Sequence, residues 1–155
     1  MQYIVARGLL RSYLSKKLSK PSSEINISVA KNGAILVHEI YNDSKIFASI
    51  SHSESKVIVA LDNFPLGVDV EYKKERKDFL KLAKYAFNER EEFLKIKNAK
   101  TPKMQMELFY KGWTKKEALY KLNSLLENYN FKLDSQKIKF IEKKLFDNYV
   151  VMVAR

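Results

Sequence analysis

Between residues 25 and 72 the chain places five short apolar runs: Ile25–Val29, Ile35–Ile40, Ile46–Ile50, Val57–Leu61 and Leu66–Tyr72. Turn signals separate them, notably Asn32-Gly33 and Asp62-Asn63-Phe64-Pro65, and this punctuation limits the fold more than any other feature. Runs this short are strands, and connections this tight join antiparallel neighbours. Ahead of them, Ile4, Leu10, Leu14 and Leu18 recur at helical spacing, with Arg7 and Arg11 four apart on another face, until Lys20-Pro21-Ser22-Ser23 closes the helix. Behind them, lysine-rich helical sequence runs from about Arg76 to Lys97 with an interruption near Phe87-Asn88. Ala99–Lys103 reads as a loop around Pro102, followed by a helix from Met104 or Trp113 to Glu127. Two last strands, Lys137–Glu142 and Tyr149–Ala154, join through Phe146-Asp147-Asn148. The order predicts one α+β domain over residues 1–155 with mainly antiparallel sheets and packed helices. It suggests two similar α+β halves, 1–65 and 66–155, related by pseudo-twofold symmetry.

The chain has no cysteine, which removes disulfides, thiolate metal sites and cysteine nucleophiles. No apolar run approaches the roughly 20 residues needed to cross a bilayer, and the first apolar stretch is broken at Arg7 and Arg11. The expectation is a soluble, cytoplasmic monomer without membrane contacts. A formal net charge of +11 attracts polyanions: nucleic acid, phosphorylated cofactors or an acidic protein.

Three groups of residues can carry chemistry. In Val68-Asp69-Val70-Glu71, strand periodicity puts Asp69 and Glu71 on one face and both valines on the other. Adjacent carboxylates repel unless a cation or proton lies between them, and oxygen ligands suit Mg²⁺. An acidic outer face on a half-buried strand is the plain alternative. In Trp113–Lys121, helical periodicity makes Glu117 and Lys121 neighbours, puts Trp113 one turn earlier and leaves Ala118, Leu122 and Leu125 for the core. An exposed ion pair would look the same. Ser49-Ile50-Ser51-His52-Ser53 is a polar cluster that reads as a turn or as a presentation of Ser51 and His52 to a phosphate.

Taken in order, Ser51-His52-Ser53, Gly67-Val68-Asp69-Val70-Glu71 and Trp113-Thr114-Lys115-Lys116-Glu117-Ala118-Leu119-Tyr120-Lys121 resemble the signature of the 4′-phosphopantetheinyl transferases, of the surfactin-synthetase-activating type. From the residue after Gly67-Val68-Asp69 to the residue before Trp113, Val70 to Gly112, there are 43 residues, in keeping with the family's gap of about forty-odd, and Phe87-Asn88-Glu89-Arg90-Glu91 is similar to its Phe-Ser-x-x-Glu element. The resemblance covers residues 49–121, and Arg7–Arg11 is similar to the first helix of the larger, two-lobed members. The small trimeric synthases fit less well, because their Asp motif stands near the chain start. Larger members carry Gly-Lys-Pro where this chain has Gly33-Ala34-Ile35, so Lys31 or another residue is expected to substitute for that lysine.

The resemblance implies transfer of the phosphopantetheine arm of coenzyme A to a serine of an apo acyl carrier protein, or of a peptidyl or polyketide carrier domain, with release of 3′,5′-ADP. It implies Mg²⁺ or Mn²⁺ held by Asp69, Glu71 and Glu117. It gives catalytic roles to Asp69, to Glu117 as base, directly or through a water, and to Lys121, and coenzyme contacts to Arg7, Arg11, Ser51, His52, Lys116 and Lys121, with Glu91 structural or supporting the residues that touch the metal. Fatty-acid biosynthesis is the broad setting, and nucleic acid is not an expected partner. The rivals are an inactive relative, a Mg²⁺-dependent nuclease and a basic nucleic-acid-binding module. A nuclease would set its Glu and Lys two apart on a strand, and a binding module leaves the three carboxylates unexplained.

Overall fold

The structure is a computed structural model, and it describes residues 2–87 and 90–155. The fold is α+β with antiparallel pairing, as the short, tightly connected runs predict. Helix α1 (Gln2–Leu18) buries Ala6, Leu10 and Leu14, spaced four apart so that one stripe faces inward. That stripe packs on Ile25, Ile35, Val37, Ile46 and Ala48.

The expected strands are subdivided. β1 (Ile27–Val29) pairs with β2 (Ile35–Val37), and β3 (Ile40–Tyr41) with β4 (Ser44–Lys45). The two residues between β3 and β4, Asn42 and Asp43, both take positive φ, which their short polar side chains tolerate and a two-residue hairpin requires. β5 (Phe47–Ser53) and β6 (Lys56–Asp62) form a seven-pair hairpin. The polar cluster at 49–53 is therefore strand rather than turn, the last five of the seven residues of β5.

β7 (Gly67–Tyr72), β8 (Phe140–Lys143) and β9 (Tyr149–Ala154) make a sheet of order β7-β9-β8. Helical sequence after β7 divides into α2 (Phe79–Ala86) and α3 (Arg90–Lys97), and Asn88 and Glu89 of the Phe87–Glu91 element lie outside the described residues. Helix α4 (Pro102–Asn128) begins earlier than expected. Pro102 opens it, because the first turn needs no amide donor from that residue, and the Thr101 side chain accepts from Met104 N.

Helix α4 lies across β7 and β9, and α1 lies across β5 and β6. These are similar helix-on-sheet layers with unequal strand numbers, and no twofold correspondence between them is established. Among the described residues no helix is long and apolar enough to cross a membrane.

Candidate functional site

Strand β7 sorts its side chains as the alternation predicts. Val68 and Val70 pack with Val151, Ile58 and Ala60, while Gly67, Asp69 and Glu71 share the opposite face. That face is covered rather than exposed, so the plain reading of a solvated acidic strand fails. A Cβ on Gly67 would overlap the carbonyl oxygen of Ala118 and lie 2.5 Å from the Leu122 nitrogen, so only glycine lets α4 come this close. The close approach brings Glu117 and Lys121 to the carboxylates. Asp69 is 4% exposed.

A second strand reaches β7 from the side. β5 and β7 run in the same direction with a constant offset, joined by hydroxyls instead of a peptide ladder. The Oγ atoms of Ser49, Ser51 and Ser53 accept from the backbone nitrogens of Val68, Val70 and Tyr72 at 3.0, 3.2 and 3.1 Å. Ser51 then donates to Asp69 Oδ1 at 2.8 Å and Ser53 to Glu71 Oε2 at 3.2 Å. From α4, Lys121 Nζ donates to Asp69 Oδ1 at 2.8 Å and to the Val68 carbonyl at 3.1 Å, and Trp113 Nε1 donates to Glu71 Oε1 at 3.2 Å.

The charges do not balance. Burial pushes the Glu71 carboxyl above the ordinary range, helped by the charge of Asp69 and opposed by Trp113, Ser53 and Lys121. Burial likewise pushes Glu117 up, again with Asp69 adding to it and with Lys121 and Lys116 opposing. Asp69 Oδ2 is buried without a hydrogen-bond partner. A buried acceptor in that state is costly. No three Asp, Glu or His side chains among the described residues already form a metal cluster. Yet Mg²⁺ is commonly held by a few carboxylates and completes its shell with water and phosphate oxygens. One orphaned carboxylate oxygen beside two carboxyls short of countercharge fits such an ion.

A cleft of about 390 Å³ opens beside Asp69, lined by Ser51, His52, Glu117, Tyr120 and Lys121 on one side and by the turn at Asn32–Ile35 on the other. The turn is fastened to α4: Asn32 Nδ2 donates to the Ser124 carbonyl at 3.0 Å and to Glu127 Oε2 at 3.2 Å, and Asn128 Nδ2 donates back to Asn32 Oδ1 at 2.9 Å.

Of the residues named from sequence, Asp69, Ser51, His52, Glu117 and Lys121 meet at this cleft, and Glu71 stands behind Asp69 on the same strand face. Arg7, Arg11 and Lys116 do not line it. Arg11 spans instead from α1 to the Ser22 and Ile25 carbonyls, and Lys116 Nζ donates to the Ala86 carbonyl at 2.6 Å, closing the end of α2. Both cations are turned to backbone oxygens, so neither takes the expected phosphate position. Sequence reasoning missed Asn32 as a clamp and Ser53 and Trp113 as partners of Glu71. The serines at 49, 51 and 53 carried a signal, since their period of two is that of a strand face.

The sequence model of the 4′-phosphopantetheinyl transferase superfamily matches residues 65–148, more than half of the chain. Three proteins bearing the name 4′-phosphopantetheinyl transferase are similar to it. HetI of Nostoc sp. is 26% identical over 121 residues, 77% of this chain and 50% of the relative. Gsp of Aneurinibacillus migulanus is 32% identical over 113 residues, 73% and 44% of the two chains. Sfp of Bacillus subtilis is 31% identical over 113 residues, 73% and 47%. The chain spans about half the length of these relatives.

Proposed function

The chain belongs to the 4′-phosphopantetheinyl transferase superfamily, and from that premise we propose that it moves the phosphopantetheine arm of coenzyme A onto a serine of an apo acyl, peptidyl or polyketide carrier protein, releasing 3′,5′-ADP. The observation that carries the reading is the cleft at which Asp69, Glu117, Lys121 and His52 converge, with one buried carboxylate oxygen left unsatisfied.

In this reading Asp69, Glu71 and Glu117 hold Mg²⁺ or Mn²⁺. Bound there, the ion would supply countercharge to the coenzyme's pyrophosphate and polarise the phosphorus under attack. Glu117 is the base that takes the proton of the carrier serine, directly or through a water, and burial raises its hold on a proton. Lys121 presents a positive charge toward the leaving phosphate, and His52 donates to the pyrophosphate at the cleft mouth. Ser51 holds Asp69 in place. Arg11 and Lys116 would reach a phosphate only by exchanging their backbone partners.

The direct test is the intact mass of apo carrier proteins incubated with the protein, coenzyme A and Mg²⁺, with and without EDTA. A gain of one phosphopantetheine arm, abolished by EDTA, is expected; no gain on several unrelated carriers would favour an inactive relative. Asp69→Asn and Glu117→Gln should each fold and fail to transfer, and full activity in either would sink the assignment of that residue.

A further inference from the structure

Glu71 is gripped from two sides by groups that the reaction itself does not use. One carboxylate oxygen accepts from Ser53 on β5 and the other from Trp113 on α4. We propose that Ser53 and Trp113 are positioning residues that fix the Glu71 carboxylate for a divalent cation shared with Asp69, an inference that rests on the transferase reading above.

The geometry makes both donors one-way. An indole nitrogen can only donate. Ser53 accepts from Tyr72 N and gives its single proton to Glu71, whose ionised carboxylate can only accept. Three elements thus hold one flexible side chain: its own strand, the neighbouring strand and the helix above. Asp69 is treated differently. Ser51 and Lys121 both donate to Oδ1, and Oδ2 is left bare. Donors crowd one oxygen of Asp69 and bracket both oxygens of Glu71, so the carboxylate pair has a single defined arrangement before any ion arrives. Partners that orient a metal-binding side chain in this way commonly set its metal affinity, and their loss typically costs about tenfold or more.

A purely structural role predicts something else. Ser53 is one rung of the serine row between β5 and β7, and Trp113 packs at the edge of the cluster around Phe109 and Phe87. Loss of either contact would then lower stability and leave the cation's affinity alone.

The experiment titrates Mn²⁺, followed by electron paramagnetic resonance, into the protein alone and with coenzyme A, for the wild type, Ser53→Ala, Ser53→Thr and Trp113→Phe. The melting temperature of each metal-free variant is recorded alongside. Ser53→Ala and Trp113→Phe are each expected to weaken Mn²⁺ binding about tenfold, and Ser53→Thr, which keeps the hydroxyl, to stay within about twofold of wild type. A lower melting temperature with wild-type Mn²⁺ affinity in Ser53→Ala, or a threonine variant as weak as the alanine one, would overturn the proposal. Should Trp113→Phe fail to fold, the alanine and threonine pair decides alone. Wild-type protein that modifies a carrier but takes up no Mn²⁺ would remove the three-carboxylate site and this inference together. Wild-type Mn²⁺ affinity in Ser53→Ala removes the inference only.

Discussion

At Glu117 and Glu71 the folded protein holds a proton more tightly than the unfolded chain does, because burial and the charge of Asp69 disfavour the ionised carboxyls. The sign follows from linkage: such a group favours the fold at low pH, and that contribution is lost as pH climbs from the unfolded value of 4.5 through the raised folded value. Metal-free protein should therefore melt higher in mildly acidic buffer than at neutral pH as far as these groups are concerned. The double variant Glu71→Gln, Glu117→Gln should flatten that dependence, which a melting series with EDTA will read. An equal slope in wild type and variant would count against the raised carboxyls at Glu71 and Glu117. These carboxyls were legible in the sequence because a period of two on a strand and of four on a helix decides which side chains share a face. Their partners were not. Ser53 and Glu71 are 18 residues apart and Trp113 and Glu71 are 42 apart, and nothing local states the register of β5 beside β7. Arg11 shows the converse: its type suggested a phosphate, but the Ser22 and Ile25 carbonyls that follow its own helix take it.

The element that sets the site is α4, and its distance from β7 depends on Gly67. Gly67→Ala would drive a methyl into backbone atoms that cannot yield, so the helix must lift, at a cost of about 3 kcal/mol or more, with transfer lost as Glu117 and Lys121 move away. Gly112→Ala is the internal control. Its added methyl meets the Phe87 ring at 3.0 Å, a side chain that can shift, so a smaller loss of melting temperature is expected. Thermal melting of the two variants compares them directly. The sequence showed the existence and type of α4 clearly. It did not show where the helix starts, because Pro102 reads as a breaker when viewed as an interior residue and as a favourable first residue once Thr101 caps it. The β strands were visible as apolar runs, whereas their breaks depend on which residues find partners.

Across the whole molecule the excess of positive charge is +11. If the carrier protein proposed above is acidic, encounter should be steered by long-range attraction and screened by salt. Raising ionic strength from low to physiological values is expected to lower kcat/KM for the carrier about tenfold while leaving kcat nearly unchanged; a salt-insensitive kcat/KM would mean the basic surface serves another end. The fold class could be read from the order of runs. The seam between β5 and β7 could not, since it is built from side chains rather than strand pairing. That seam has a direction. Each rung passes from an amide to a hydroxyl, and at Ser51 and Ser53 onward to a carboxylate, so the hydroxyl's grip on the backbone varies with how strongly the carboxylate draws on it. Whatever engages the carboxylates must then alter how firmly the two sides of the molecule adhere, and by reciprocity whatever loosens that adhesion must weaken what is held there. Cohesion and occupancy become one equilibrium seen from opposite ends.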